Sequence, residues 1–503
     1  MTSTDPIVVL GTGPSAFFFV KSLLERRPQQ KVLVLEAGLK PFDSETSIDA
    51  RVSVGQPFRL APTSNVGYGG TSQLWHNVLA PLDREDFWEK PWIPGSGWPI
   101  RRDDLESYYE EVAVFFGFSH ALFSAPEALV DLESERASLQ IDEDTFSSKV
   151  FLHPQHYLRT DRAFEALKAK HSNLVVRLGC VGLRFERAGS QEVLVVYNRV
   201  RERQERVRGD RFVICCGALN NPEVLFNSDL GVPLPALGHF LMDHPMGNLF
   251  QFRYPEPKQA RIYSALKVTS TLKLKLALRL APELQKKNEL GNSAFYLRPA
   301  FAEGTEDDTE RLKQQLLTVR AKLKRFRPPV RESLALLRNA NMIRQIIQYK
   351  TGLLGEHRLT DCMFVTEQRP SRESRVRPTQ QKNSYDNLRT EVDWRLSAED
   401  LREAKALYPF IRANLMDLNG AEETYDPDLV IWKERLSSAA HHLGTVRMAE
   451  DPEHGCVDRN LKLFGSEQIF VCDGSVFPTA GNANPTYTCM ALSARLARHL
   501  SHA

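Results

Sequence analysis

The stretch IVVLGTGPSA, residues 7–16, decides the fold of this chain. Four apolar residues run into a glycine-rich turn, an apolar helical stretch follows from Phe17 to Leu24, and a second apolar run, residues 31–35, ends at Glu36. Strand, glycine turn, helix, strand and acid, in this order, form the dinucleotide-binding fingerprint in its G-x-G-x-x-A variant. The stretch therefore predicts the βαβ unit of a Rossmann-like parallel sheet.

The positions of this turn have separate physical tasks. Gly11 allows the tight turn, Gly13 lets a pyrophosphate approach the backbone, and Ala16 lets helix and strand pack closely. Glu36 can accept hydrogen bonds from ribose hydroxyls. A glycine loop without a ligand remains the alternative for the turn alone, but the flanking elements and the acid favour a nucleotide.

Length and composition bound the class of protein. The chain has 503 residues, enough for two or three domain-sized units, and its 42% hydrophobic and 25% charged residues are typical of a globular protein. A formal net charge of +2 gives no argument for nucleic acid as a partner. The N-terminus has no basic region of the kind that export signals carry, and the seven scattered cysteines lack CxxC spacing. We expect a cytoplasmic protein with reduced thiols and no metal site.

The segment from His441 onward carries the residues best suited to chemistry. HHLGTVRM (441–448) is followed by VCDGSVFP (471–478) and NANPTYT (482–488), which opens a final apolar segment. Apolar residues at helical spacing predict a last helix with Pro485 in its first turn. The partial positive charge of that helix N-terminus would stabilise negative charge on a ligand, although an ordinary surface helix remains the alternative for this segment alone.

The middle of the chain has a different pattern. LKLKLALRL, residues 272–280, alternates with period two, and Ser293–Phe301, Cys362–Glu367 and Leu388–Trp394 indicate further strands. These segments predict an antiparallel sheet.

An insertion at about 305–355 interrupts this sheet pattern. Apolar residues recur there at helical spacing on both sides of Pro328-Pro329, with a basic turn between them. Three interpretations are open: a helical hairpin packed on the sheet, an active-site lid or dimer contact, and a patch for a membrane surface or an anionic substrate. The first is favoured.

Four blocks in this order resemble the glucose–methanol–choline (GMC) family of FAD-dependent alcohol-oxidising enzymes. They are residues 11–16 with 36–38, residues 69–72 through 98–100, residues 215–222 with Asp243-His244-Pro245, and residues 441–488. The resemblance implies an α/β fold, α+β overall, in which a Rossmann-like FAD-binding domain carries a discontinuous antiparallel substrate-binding domain. It implies an FAD-binding domain at 1–245 with cap elements at about 80–155, a substrate-binding domain at 246–435, and a C-terminal FAD-binding part at 436–503.

The resemblance also implies roles for single residues. The family's base, three residues before a Gly-Thr pair, falls on His441, and its partner position falls on Asn484. The neighbouring His442 would point the other way on an extended segment, so we assign it either to packing or to the support of groups that contact the ligands. Backbone N–H groups of the second glycine turn, around Gly70, could hold a diphosphate or a ring edge. The cofactor contacts that the resemblance implies are Gly11, Gly13, Pro14, Ser15, Ala16, Glu36, Ala37, Gly70, Thr71, Ser72, Trp75, Asn77, Val181, Cys216, Gly217, Asp473, Gly474, Pro485 and Thr486.

Chemistry and substrate follow from the same resemblance. Oxidation of an alcohol to a carbonyl needs a base for the hydroxyl proton, for which histidine suits, and flavin N5 takes the hydride. Some family members hold FAD covalently through a histidine; here that position is Leu74, which predicts non-covalent FAD, with His76 the one nearby objection. A sugar, glycoside or polyol is the expected substrate. Aryl or aliphatic alcohols, a biosynthetic intermediate, and a non-redox lyase on the same fold are alternatives, and oxygen, a quinone or a carrier protein could accept the electrons.

Overall fold

The structure of the chain is a computed structural model. It describes residues 5–43, 53–55, 63–128, 138–189, 191–229, 231–300, 343–344, 347–348, 351, 357–425 and 436–502. The helical insertion predicted at about 305–355 lies outside the described residues apart from those five isolated positions.

Strands and helices are numbered in chain order within the described residues. The strands are β1 (Ile7–Leu10), β2 (Val32–Glu36), β3 (Ser53–Gly55), β4 (Phe146–Pro154), β5 (Leu174–Leu178), β6 (Cys180–Ala188), β7 (Gln191–Asn198), β8 (Arg203–Val207), β9 (Arg211–Ile214), β10 (Pro245–Arg253), β11 (Lys267–Val268), β12 (Leu272–Leu280), β13 (Ala294–Pro299), β14 (Leu359–Val365), β15 (Arg375–Lys382), β16 (Leu388–Trp394), β17 (Glu422–Tyr425), β18 (Ser437–Ser438) and β19 (Ile469–Val471). The α-helices are α1 (Pro14–Arg26), α2 (Glu106–Phe115), α3 (Thr160–Lys170), α4 (Asn221–Phe226), α5 (Arg261–Ser264), α6 (Pro282–Lys287), α7 (Ala398–Ile411) and α8 (Thr486–His502).

A parallel sheet holds the first and last parts of the chain together. Its order is β19-β9-β1-β2-β5, and every pairing along it is parallel. The strands β1, β2 and β19 are buried along their whole length, as expected for a parallel sheet covered by helices on its faces. Since all these strands run the same way, the loops that follow β1, β2, β9 and β19 lie at one edge of the sheet.

Two helices from opposite ends of the chain pack against each other beside this sheet. Helix α1 contacts α8, and α8 also contacts α2. The apolar residues predicted to form one face of α8, Met490, Leu492, Leu496 and Leu500, are at most 3% exposed. Burial of a side chain of this size contributes roughly 1.5–3 kcal/mol, so this face anchors the C-terminal segment to the sheet.

The second large sheet is antiparallel. Its order among the described strands is β11-β12-β13-β14-β10-β17, with β4 paired to β12 and β18 paired to β10. The period-two segment forms β12 with the bounds that its pattern predicts, residues 272–280. Two smaller sheets, β15-β16-β3 and β6-β7-β8, complete the sheet structure of the described residues.

The predicted fold class is confirmed: a parallel Rossmann-like sheet and a separate antiparallel sheet lie in one α/β chain. The proposed domain boundaries at 245/246 and 435/436 stay predictions. No helix in the described ranges is both long enough and apolar enough to cross a membrane.

Candidate active site

A large cavity lies at the carboxyl edge of the parallel sheet. The space within its wall, with the open solvent at its mouth included, is about 1510 Å³. Its wall includes the residues that follow β1, β2, β9 and β19, the second glycine turn around Gly70, and the start of α8. Ligands of open α/β sheets bind in such a crevice outside the carboxyl ends of the strands.

The first glycine turn is shaped by the neighbouring strand. Gly11 has φ 96°, in the left-handed region, and a Cβ there would lie 2.5 Å from the carbonyl oxygen of Cys215. Gly13, by contrast, has φ −69°, and no described heavy atom lies within 4 Å of a Cβ built on it. Gly11 is therefore needed by the fold, whereas the space beside Gly13 is open toward the cavity.

Glu36 lies at the end of β2 and borders the cavity. Its carboxylate accepts hydrogen bonds from Thr12 Oγ1 at 2.5 Å and from the Gly38 backbone N–H at 3.0 Å. Burial raises its pKa to about 7, against the opposing effect of these hydrogen bonds. Two oxygens have more acceptor positions than these contacts use, so the carboxylate can still accept from ligand hydroxyls.

His441 and Asn484 meet at the cavity from two separate segments of the chain. Asn484 Nδ2 lies 2.9 Å from His441 Nε2. The other ring nitrogen of His441, Nδ1, lies 2.7 Å from Nδ1 of His244. Burial lowers the pKa of His441 well below its usual value, and the neighbouring His244 and His442 rings lower it further. The ring is therefore neutral at physiological pH, the state in which a histidine can accept a proton.

A buried carboxylate fixes the backbone that carries His441. Asp243 is fully buried, and its carboxylate accepts hydrogen bonds from the Ser438 hydroxyl at 2.5 Å and from the backbone N–H groups of His244 at 2.6 Å, Ala439 at 3.1 Å and His441 at 3.2 Å. Burial raises the pKa of Asp243 to about 6, although these donors oppose the shift. One side chain thus positions both the segment before His441 and His244.

The turn that carries Asn484 is fixed from the opposite side. Thr479 Oγ1 accepts from Trp98 Nε1 at 2.8 Å and donates to the Asp86 carbonyl at 2.8 Å. Asn482 Nδ2 donates to Asp83 Oδ2 at 3.3 Å, and the Gly481 N–H donates to a carboxylate oxygen of Glu367 at 3.4 Å. These partners lie outside the cavity wall, so they hold the turn without occupying the cavity.

A third contact joins the ends of two strands of the parallel sheet. The carboxylate of Asp473, after β19, accepts hydrogen bonds from the Gly217 N–H at 2.7 Å and from Asn221 Nδ2 at 2.9 Å. Asp473 and Gly217 both border the cavity. The aspartate therefore shapes the loops after β9 and β19 into one surface.

Most residues expected from the sequence at a cofactor site lie along this cavity. Those that border it are His441, Gly11, Gly13, Pro14, Ser15, Glu36, Ala37, Gly70, Thr71, Val181, Cys216, Gly217, Asp473, Gly474, Pro485 and Thr486. Asn484 is placed there by its contact with His441. Helix α8 begins at Thr486, so Pro485 directly precedes the first turn in which it was expected.

Four expected cofactor contacts are not among the described residues of the wall. Ala16 is buried inside α1, where it serves the close packing expected of it. Ser72 Oγ donates to the Gly69 carbonyl at 2.6 Å, Trp75 Nε1 donates to the Leu158 carbonyl at 3.0 Å, and Asn77 Nδ2 donates to the carbonyls of Pro154 and His156 at 3.2 and 3.1 Å. Because these side chains are directed to protein carbonyls, we assign the last three to holding the loop rather than the ligand.

His442 is the second histidine of this segment. It also borders the cavity, with Nε2 3.9 Å from Asp243 Oδ2. His442 therefore lies beside the carboxylate that positions His441.

Sequence reasoning gave no role to His244 and Asp243. Both belong to the Asp243-His244-Pro245 run, which served only as a mark of resemblance. His244 is 197 positions from His441, and no periodicity or spacing relates residues so far apart. A histidine beside an aspartate just before a strand was the one available signal.

Comparison with known proteins agrees with this geometry. Residues 370–493 match the family model described as GMC oxidoreductase, a range that includes His441, Asn484 and Asp473. The pyridoxine 4-oxidase structure from Mesorbium loti superimposes with a TM-score of 0.59 at 18% identity, covering 99% of this chain and all of that one. This family match covers about a quarter of the chain, and the likeness to the solved structure, at 18% identity, is one of fold.

Sequence similarity to curated proteins is confined to short segments. The chain is 34% identical over 73 residues to the long-chain-alcohol oxidase FAO3 of Arabidopsis thaliana, which is 14% of this chain and 10% of that protein. It is 40% identical over 68 residues to a C-glycoside 3-oxidase of Microbacterium trichothecenolyticum, 13% of each chain. The matched segments thus span about a tenth of those relatives' length. The similarity of the fold, by contrast, extends over 99% of this chain in the comparison with the pyridoxine 4-oxidase structure.

Proposed function

We propose that this chain is an FAD-dependent alcohol oxidoreductase that converts a CH–OH group to a carbonyl, with His441 as the base and Asn484 as the group that holds the hydroxyl oxygen. The observation that carries the proposal is the pairing of Asn484 Nδ2 with His441 Nε2 at 2.9 Å beside a nucleotide-type cavity. The match of residues 370–493 to the GMC oxidoreductase model supports the same class of reaction.

The cavity fits FAD in two respects. The open space beside Gly13 lies at the N-terminus of α1, where unpaired backbone N–H groups favour a phosphate. The Glu36 carboxylate, with acceptor positions left at the end of β2, suits ribose hydroxyls. The chemistry that the protein leaves to FAD is acceptance of the substrate's hydride at flavin N5.

The protein's own residues would remove the hydroxyl proton of the substrate. An alcohol that replaces the direct contact between the two side chains would donate its O–H to His441 Nε2 and accept a hydrogen bond from the Asn484 amide. The amide then stabilises the negative charge that grows on the oxygen as the proton leaves, without competing for that proton. Because His441 is held neutral, it can take the proton at physiological pH.

The proposed substrate is a sugar, glycoside or polyol. The match to a C-glycoside 3-oxidase supports it, and the match to a long-chain-alcohol oxidase supports an aliphatic alcohol as the second candidate. Anaerobic mixing of the FAD-loaded protein with sugars, glycosides, polyols, aryl alcohols and long-chain alcohols separates these classes, because a substrate bleaches the flavin absorption band. A lyase with structural FAD would turn over its substrate with the band unchanged.

Two neighbouring variants test the assignment of the base. His441→Ala should slow flavin reduction by roughly 10²–10⁴-fold while FAD stays bound, since that is the usual contribution of a positioned base. His442→Ala, the matched control, should have a much smaller effect. If His442→Ala alone abolishes reduction and retains FAD, the assignment of His441 is wrong.

The electron acceptor is proposed by chemical class only: oxygen, a quinone or a carrier protein. A peroxide assay beside a dye-reduction assay on the substrate found above distinguishes oxygen from the other two. Peroxide formed in proportion to substrate would identify an oxidase.

A further inference from the structure

His244 lies behind His441, on the side away from Asn484. It is fully buried, and its ring stands nearly perpendicular to the His441 ring, with an interplanar angle of 83° and centroids 5.0 Å apart. Its Nδ1 faces His441 Nδ1 at 2.7 Å, and its Nε2 faces the Ala480 carbonyl oxygen at 3.2 Å. Both ring nitrogens of His244 therefore have defined partners.

These partners determine which nitrogens carry hydrogen. A carbonyl oxygen can only accept, so Nε2 of His244 must be the donor to Ala480. Burial lowers the pKa of His244 to about 4, so its ring is neutral and has one N–H. Nδ1 of His244 is consequently an acceptor, and the hydrogen in the contact between the two rings belongs to His441.

The same reasoning continues through His441. A neutral ring that carries its hydrogen on Nδ1 has a bare Nε2. That nitrogen is the one facing the Asn484 amide, which donates to it at 2.9 Å. The chain of hydrogen bonds from Ala480 through His244 and His441 to Asn484 is consistent in only one direction, and the end of it is an unprotonated nitrogen at the cavity.

We propose that His244 is a positioning residue that holds His441 in the tautomer with hydrogen on Nδ1, so that Nε2 is always free to take the substrate's hydroxyl proton. The inference rests on the proposed function, in which His441 Nε2 is the base. Without a hydrogen-bond acceptor facing Nδ1, the His441 ring can carry its hydrogen on Nε2 instead. A protonated Nε2 cannot act as a base. A hydrogen-bonded partner of this kind fixes tautomer and ring orientation in other histidine sites.

Two substitutions separate this role from a merely structural one. In His244→Asn, the side-chain amide oxygen occupies the place of Nδ1 and can still accept from His441, but the donor to Ala480 is lost. In His244→Gln, the amide nitrogen reaches the place of Nε2 and can still donate to Ala480, but the acceptor is lost. We expect His244→Gln to slow flavin reduction by about 5- to 100-fold, the effect of leaving a buried donor without a partner, and His244→Asn to lose less.

The opposite order, in which His244→Asn slows flavin reduction more than His244→Gln does, would show that His244 serves only to hold Ala480 and would overturn the inference. Equal and small losses would overturn it too. The comparison uses the FAD-loaded protein at saturating substrate, so that the chemical step rather than substrate binding is measured.

A second measurement does not depend on activity. In protein labelled with ¹⁵N-histidine, long-range ¹H–¹⁵N correlation spectra distinguish protonated from unprotonated ring nitrogens, and the His441 signals are those missing from His441→Ala. We expect wild-type Nε2 to be unprotonated and a shift toward the other tautomer in His244→Gln. A protonated Nε2 in the wild type refutes the inference even if the glutamine variant does not fold. If instead no alcohol reduces the flavin while Nε2 is unprotonated, the proposed function fails and the inference about the tautomer stands.

Discussion

Replacing Gly13 with alanine should separate cofactor binding from folding. The backbone at Gly13 has φ −69° and ψ −178°, a conformation that any residue adopts. A Cβ built there has no described heavy atom within 4 Å, so the added methyl group meets no part of the protein in the described ranges. Removing the freedom of glycine from the unfolded chain then stabilises the protein without FAD by about 0.4–1 kcal/mol.

The same methyl group should weaken FAD binding. It projects into the space that a pyrophosphate must enter to reach the N–H groups at the start of α1. Forcing one extra methyl group into a close contact costs roughly 1–3 kcal/mol, which weakens the dissociation constant about 5- to 150-fold. Two measurements check this: calorimetric titration of the FAD-free protein with FAD, and thermal unfolding without FAD.

Gly11→Ala is the matched control. Gly11 has φ 96°, and its added Cβ would lie 2.5 Å from the Cys215 carbonyl oxygen, which belongs to the backbone and cannot rotate away. We expect this variant to lose stability before FAD is added, by more than the roughly 1–3 kcal/mol of backbone strain alone. If Gly13→Ala binds FAD with the wild-type affinity, the phosphates of the cofactor do not lie at this turn and the argument for the cavity is wrong.

Two further predictions concern pH and the cofactor bond. Burial lowers the pKa of His244 from 6.5 to about 4, so between these pH values the unfolded chain binds a proton that the folded protein does not. The contribution of His244 to the free energy of unfolding is therefore complete above pH 6.5. Roughly 3 kcal/mol of it is lost as the pH falls toward 4. Urea unfolding at several pH values should show that the free energy of unfolding falls less on acidification in His244→Asn than in the wild type. An equal fall in both proteins would contradict the assignment of this loss to His244. For the cofactor, denatured protein should release all its FAD, because the position expected for a covalent histidine is Leu74 and the exposed His76 is not among the described residues of the cavity wall. A chain mass increased by one FAD would refute this.

The parts of the fold that follow from contiguous patterns could be predicted from the sequence. The run from residue 7 to Glu36 forms the expected strand, turn, helix and strand, because each element depends on periodicity within a few residues. The last helix and strand β12 were predictable for the same reason. The position of His441 at the cavity came from the family pattern, which carries information about distant contacts that a single segment does not.

The parts that depend on side-chain direction or on distant pairs were not predictable. A glycine-rich turn around residues 69–72 indicates where the backbone goes, but the directions of Trp75 and Asn77 depend on the carbonyls of another segment. The contact between His244 and His441 required the antiparallel sheet and the C-terminal segment to be brought together first.

The geometry of the proposed base, His441, is fixed by groups that are not among the described residues of the cavity wall. Asp243 holds the segment that carries His441, and Asp83 with Glu367 holds the turn that carries Asn484. The 2.9 Å contact between the two side chains proposed for catalysis is therefore set from outside, by three carboxylates on separate segments, of which those of Asp243 and Glu367 are fully buried. Residues of the wall can then change without moving the base relative to the amide. Under the proposed function, one base with its orienting amide could then serve different alcohols, with the choice of substrate left to residues elsewhere around the cavity.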